Sequence, residues 1–368
     1  MKTRQINAEN DAGGERLISV DALRGFVMGN IMFISVSRSM PPDFLPEFIA
    51  RHFEHSSWHG LIYADIGFPG FVMLMGLSIS LSLTRMRDSD FFAYFRRIAI
   101  RSASLVFIGF LYNGGFTEEW PGIRLPGVLQ RLGVCYFFAA LIYRWTNVAG
   151  RVVALSTILV VYWGMLALIP VPGGIAGDYS FDGNLVAWID SQLLPGRLLY
   201  GDWDPNGLLG TFPATGSVIV GMLWGDLLLS SMSAKRKTLS LLAIGIVSIN
   251  LAVILDTVLP INKPMWTSSY VLVTAGVGTL FLGGFYYLVE ELNWSMICFP
   301  MVVIGKNILA AFVLIKVIPF HDIALLFTGG DVMILFGVWS PLVTAFVEYL
   351  LAWGVLLLLY RYDIALRF

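Results

Sequence analysis

Residues 239–259 read LSLLAIGIVSINLAVILDTVL, and Lys235-Arg236-Lys237 stand just before them. As a helix rising 1.5 Å per residue, this stretch covers roughly the 30 Å of a bilayer's hydrocarbon core. Asp256, near its end, is its one charged residue. A basic cluster at one end of an apolar span marks the cytoplasmic side. Nine further runs have similar character: Leu17–Val36, Gly60–Leu83, Ile98–Asn113, Val128–Tyr143, Val152–Ile169, Leu209–Leu229, Trp266–Val289, Ile297–Val317 and Val332–Tyr360. The third and fourth in chain order are short, and the last holds Pro341, which predicts a kink or a split.

Composition agrees. Of 368 residues, 57% are hydrophobic and 13% charged, with a mean hydropathy of +0.75. Soluble domains are nearer a quarter charged, so a water-soluble enzyme, a disordered chain, collagen and a coiled coil are all excluded. Lys+Arg 24 against Asp+Glu 25 leaves a net charge of −1, which gives a nucleic-acid partner no electrostatic support. The aromatic content of 14% suits interfacial belts in a lipid bilayer. The expected fold class is all-α, a polytopic integral membrane helical bundle of about ten transmembrane helices. Residues 1–16 read as a cytoplasmic tail and 17–368 as a single transmembrane domain, with the first span an uncleaved signal anchor. No internal repeat is visible.

Positive charge orients the bundle. Lys2, Arg4 and Arg16 precede the first span, and Arg85, Arg87, Arg96, Arg97 and Arg101 lie around the loop after the second. Arg144, Arg151, Lys235–Lys237, Arg361 and Arg367 fall on the same side if the spans alternate, which places both termini in the cytoplasm. Arg38 and Arg51 fall outside, against the scheme. Two outer loops are large. Ser37–His59 holds three of the four histidines. The loop at about 170–207 holds Asp178, Asp182, Asp190, Asp202 and Asp204 against Arg197 alone, so it either attracts a cationic ligand such as a primary amine or uses its Asp residues in ordinary turns.

Ionisable residues at membrane depth are costly and commonly have a task. Asp65 and Arg131 enter their spans from the outer side at similar depth, which predicts a buried ion pair between them. Lys306, beside Asn307, is expected near mid-depth, touching a polar ligand or a neighbouring helix. Glu348 is similar and has no nameable partner. Asp21 and Arg24 are spaced for an intrahelical pair after an N-cap at Ser19; alternatively Arg16, Arg24, Arg97 and Arg101 form a cationic rim for phosphates. Cys135 and Cys298 read as small buried hydrophobes. His52, His55 and His59 follow i, i+3, i+7 spacing, which would put them near one helix face. Acid–base catalysis by His55, a zinc site and plain surface histidines stay open on the residues alone.

Six strings carry a resemblance: RLISVDALRG (Arg16–Gly25), HSSWHGLIYADIGFPGFVMLMG (His55–Gly76), RLPGVLQRLGVCY (Arg124–Tyr136), WDPNGLLGT (Trp203–Thr211), KPMWTSSYVL (Lys263–Leu272) and GKNILAAF (Gly305–Phe312). In this order the chain resembles the transmembrane acyltransferases typified by heparan-α-glucosaminide N-acetyltransferase and its bacterial relatives. The resemblance implies acetyl transfer across the membrane plane, from cytoplasmic acetyl-CoA to the amine of an amino sugar. It places the active-site histidine of a His-x-x-Trp motif on His55, with Trp58, and an Asp-x-x-Phe-Pro motif on Asp65. Ser35 stands where the animal enzyme has an active-site Asn, and His59 where it has the Asn that follows its Trp. On this reading His55 and Asp65 are catalytic. Ser35, Trp58, His59, Asp202 and Asp204 face the acceptor, and Arg16, Arg24, Arg97, Arg101, Arg131, Lys306 and Asn307 hold acetyl-CoA, with no metal. The implied location is the bacterial inner membrane, and a homodimer stays open. Two other functions are weighed: a sugar or amino-sugar transporter without chemistry, and an O-acetyltransferase of cell-envelope glycans.

Overall fold

Fifteen α-helices follow one another in the computed structural model, which describes residues 17–364. Arg16 and Arg367 lie outside the described residues. Helices α1 (Ile18–Ser37), α2 (Glu47–Ala50), α3 (Gly67–Leu83), α4 (Phe91–Tyr112) and α5 (Val128–Trp145) form the first part. They are followed by α6 (Val148–Leu168), α7 (Leu185–Leu193), α8 (Leu208–Leu229), α9 (Ala234–Asp256) and α10 (Ser268–Tyr286). The last five are α11 (Phe299–Gly305), α12 (Ile308–Val317), α13 (Phe320–Thr328), α14 (Asp331–Phe336) and α15 (Ser340–Arg361). Among the described residues β pairing is limited to an isolated Leu198–Gly201 bridge.

The all-α expectation holds, and the chain is a multi-pass integral membrane protein. Among the described residues seven helices are long and apolar enough to cross a membrane, or up to eight if a bent pair is one span, against the ten expected. The third and fourth expected spans are longer as helices than as apolar runs. Asp90 caps α4 by accepting from the Ala93 amide, and the helix runs for 22 residues straight through Arg96 and Arg97. Periodic apolar content, not unbroken apolarity, is what a packed helix requires.

The ninth expected span is not straight. It divides into α11 and α12, bent by 80° at Lys306-Asn307. Lys306 therefore stands at that bend. Its Nζ lies 2.5 Å from the Asp363 carboxylate just past α15, and Asn307 Nδ2 donates to the Ile364 carbonyl at 2.9 Å. The last expected span is split, as Pro341 led one to expect: α14 ends at Phe336, a 3-10 turn covers Gly337–Trp339, and α15 starts at Ser340 beside the proline. Pro341 sits in the first turn of α15, where its missing N–H costs nothing. Ser19 is not an N-cap: Leu17 takes that position, and the Ser19 hydroxyl donates to Glu290 at 2.8 Å. The Asp21–Arg24 pair forms at 3.1 Å. Both cysteines are buried.

Tight backbone crossings fix the helices that carry the site. At the α3–α8 crossing, a Cβ on Gly221 would lie 1.7 Å from the Met73 carbonyl oxygen, and one on Gly76 would lie 1.9 Å from that of Val218. In lipid, where apolar side chains gain little by leaving their surroundings, small residues allow this close van der Waals packing. The first turn leading into α3 carries Asp65, so the crossing holds that carboxylate in place. Arg87 and Arg144 close the opposite end. Arg87 Nη2 donates to the Thr146 carbonyl at 2.7 Å, and Arg144 donates to the carbonyls of Arg87 and Ser89. Many of the basic residues counted for topology thus also tie helix ends together.

Candidate active site

The local chain geometry around Asp65 gathers donors onto one carboxylate. Residues Tyr63–Asp65 form a single 3-10 turn. Asp65 Oδ2 accepts from the Ser56 amide at 3.2 Å and the Ile62 amide at 3.1 Å. The Asp65 carbonyl accepts from the Tyr270 hydroxyl at 2.6 Å. Asp65 is fully buried, and its remaining oxygen, Oδ1, faces two side chains. His55 Nδ1 lies at 3.0 Å and Lys263 Nζ at 3.1 Å. His55 itself is half exposed, at 51% of its side chain.

Lys263 arrives from a tight turn that the sequence builds with three residues. Asn262, wholly buried, accepts from the Met265 amide at 2.8 Å through its side chain. Pro264 occupies the second position of the turn, where its fixed φ suits it, and the Trp266 amide donates to the Lys263 carbonyl at 3.0 Å. Trp266 takes φ 55, left-handed for a residue with a Cβ and worth about 1–3 kcal/mol of strain. It is held there by a bond from its indole N–H to the Ser217 hydroxyl at 3.1 Å. Asn262 Nδ2 also donates to the Trp58 carbonyl at 2.9 Å, joining this turn to the histidine loop.

These residues open on a cavity of about 390 Å³, within the ~300–1,000 Å³ range of small-molecule sites. Its polar lining includes Ser35, Arg38, His55, Ser56, Tyr200, Asn206 and Lys263, and its apolar wall includes Ile31, Phe68, Phe71, Trp266 and Phe312. Burial pushes the Lys263 ammonium down to about 8, with the neighbouring Asp65 carboxylate opposing that fall. The imidazole has two states here. With Nδ1–H donated to Asp65, Nε2 presents a lone pair to the cavity. With Nδ1 accepting from Lys263 at 2.8 Å, Nε2 carries the proton instead. Arg38 Nη2 stands 3.5 Å from Nε2.

Several sequence expectations are corrected. Asp65 pairs with Lys263 and not with Arg131. Arg131 is buried with its guanidinium 5.1 Å over the Trp266 ring, and it donates to the Gly207 carbonyl at 3.3 Å. Matching depth does not make neighbours: Trp266 lies under the arginine, while Lys263 reaches the carboxylate. The three histidines do not share a helix face, because 51–60 is turn and bend without helix. His59 turns away to Asp256 at 2.8 Å. Trp58 donates to the Tyr179 carbonyl at 2.8 Å and packs edge-on against Phe181 and Trp203, which anchors the outer loop. Neither lines the cavity. Asp204 is fully buried in a two-bond clasp from Arg124, at 2.8 and 2.9 Å, and is spent on structure. Asp190, raised by burial to about 6, accepts from the Leu208 amide at 2.9 Å. Asp202 is exposed and does not line the cavity.

The phosphate rim is likewise separate from this cavity. Arg24 is bonded to Asp21 and to the Ser78 hydroxyl at 2.6 Å. Arg97 donates to Met86 Sδ, and Arg101 stacks 4.9 Å over Tyr136. None of the three lines the cavity, nor do Arg131, Lys306 or Asn307. Ser35 and His55 do. Glu348, which had no nameable partner, meets His321 Nδ1 at 2.9 Å. Among the described residues no three His, Cys, Asp or Glu side chains converge as for a metal ion.

No family model matches the chain. Two curated proteins do. The heparan-alpha-glucosaminide N-acetyltransferase of Homo sapiens is 29% identical over 314 residues, covering 70% of this chain and 46% of that protein. The protein of the same name from Mus musculus is 30% identical over 318 residues, covering 71% of this chain and 47% of its own length. The chain is a homologue of these two proteins. The resemblance to heparan-alpha-glucosaminide N-acetyltransferase drawn from the motifs is borne out at about 30% identity. The chain spans about half the length of the curated relatives it matches.

Proposed function

We propose that the chain is a multi-pass acyltransferase of the bacterial inner membrane, carrying acetyl from acetyl-CoA on the cytoplasmic side to the amine of an amino sugar on the outer side. The observation that carries this reading is a half-exposed imidazole, held by a fully buried carboxylate, at the mouth of a cavity. The names of the homologues supply the reaction class. Acetyl-CoA, when bound, supplies an acetyl activated as a thioester, with a thiolate as leaving group.

In this mechanism Asp65 holds His55 Nδ1–H and leaves Nε2 basic towards the cavity. His55 takes the proton from the acceptor nitrogen as that nitrogen attacks the acyl carbon, then passes it to the departing sulfur. Lys263 and Arg38 are the cations beside His55, suited to the oxygen on which negative charge develops. The apolar wall of Phe68, Phe71 and Phe312 suits a methyl and an aliphatic arm, so the reacting end of the donor fits here. Arg24, Arg97 and Arg101, with Arg16, are assigned to its phosphates on the resemblance alone. Ser35 is left as the acceptor contact in the cavity. Two cations against one carboxylate also favour the acceptor's neutral amine over its ammonium form, which replaces the expected pull of Asp204.

Purified protein should release thiol from acetyl-CoA when given glucosamine and not when given glucose, in which a hydroxyl replaces the amine. Equal release with both sugars would favour O-acetylation. Uptake of sugar without any thiol release would favour a transporter.

A further inference from the structure

Lys263, one of the two cations beside His55, is itself a primary amine. It lines the cavity with its side chain 16% exposed, its Nζ 2.8 Å from His55 Nδ1 and 3.1 Å from Asp65 Oδ1. We propose that Lys263 is a site of self-acetylation: in the absence of an acceptor, its amine takes the acetyl group from the thioester bound beside His55 and the enzyme is switched off. This rests on the acyltransferase reading above.

The step balances. The Lys263 ammonium gives one proton to His55 Nδ1. The neutral amine attacks the acyl carbon, an N–C bond forms, and the C–S bond breaks. The thiolate takes a second proton from the attacking nitrogen, and His55 returns the first to solvent. The products are an acetamide on Lys263, free thiol and one proton.

The groups facing Nζ are Asp65 from the turn before α3, His55 from the histidine loop and Arg38 from just past α1. A fall to about 8, against about 10.4 for a free lysine, makes the neutral amine far commoner at neutral pH than on a surface lysine. Once acetylated, the nitrogen has no charge to set against Asp65, and its added acetyl group occupies cavity volume beside the imidazole. Both effects stop turnover.

The test uses the full-length purified chain with isotopically labelled acetyl-CoA and no sugar, followed by peptide mapping. Lys263 should gain one acetyl group, stable to hydroxylamine as an amide is. It should do so roughly tenfold or more faster than exposed Lys235 at neutral pH. Labelling should quicken as pH rises towards about 8, excess glucosamine should suppress it, and thiol release should decline in step with the labelled fraction. Lys263→Arg should abolish label at that peptide. If the protein transfers acetyl to glucosamine while Lys263 stays unmodified or labels no faster than Lys235, this inference falls and the transferase reading stands. If neither transfer nor labelling occurs, both fall.

Discussion

His55→Ala lowers acetyl transfer by roughly 10²–10⁴-fold, the usual contribution of a placed general base, equivalent to about 3–5 kcal/mol of transition-state stabilisation. The loss falls on kcat, because the thioester arm rests on apolar walls that the substitution leaves in place. The fold should survive, since the side chain is half exposed and holds no element end together. Thiol release from acetyl-CoA with saturating glucosamine measures the loss, and elution as a discrete species in detergent checks the fold. His52→Ala, an exposed histidine three residues away, should retain most of the rate. A His55→Ala protein that keeps most of the wild-type rate would remove the imidazole from the mechanism.

Asp65→Asn is expected to cost a comparable factor by a different route. The carboxylate accepts from two backbone amides through Oδ2 and faces His55 and Lys263 through Oδ1. An asparagine has one acceptor oxygen where the site needs two. If that oxygen stays on the amides, its NH₂ group meets His55 Nδ1 as a donor and forces the tautomer whose Nε2 already carries a proton. The base is then unavailable, for a loss of roughly 10²–10⁴-fold in kcat/KM. The substitution also moves a titration. Asp65 now raises Lys263 against the lowering effect of burial; without that negative charge the lysine loses its proton at still lower pH, below about 8. A pH profile of Lys263 acetylation should therefore shift to lower pH in Asp65→Asn. An unmoved profile, together with a near wild-type rate, would mean that Asp65 serves the backbone alone.

The sequence made the membrane class legible because apolar length and positive-charge bias are one-dimensional signals. The run at 239–259 needed no tertiary information, and α9 spans Ala234–Asp256 in the structure. His55 and Asp65 were legible together through their shared motif. Lys263 was not singled out, although it opens the string KPMWTSSYVL, because its partner lies 198 residues away in sequence and only the turn built by Asn262 and Pro264 brings it back. Arg38 looked like an exception to the charge rule and instead stands beside the imidazole. The Asp65–Arg131 pair failed for a related reason: depth in a span fixes one coordinate and leaves the helix face open, and Arg131 packs over the Trp266 ring instead. Asp204 looked available to a ligand because composition counts charges without their partners, and Arg124 had already claimed it.

The most direct measurement places donor and acceptor on opposite sides of a membrane. Purified protein is reconstituted into sealed vesicles with acetyl-CoA inside and glucosamine outside, and molecules inserted with their arginine-rich end inward are assayed for acetylated sugar outside and free thiol inside. The account predicts that both products appear in equal amounts, and that both vanish with His55→Ala. Acetylated sugar formed only when donor and acceptor share one compartment would contradict it.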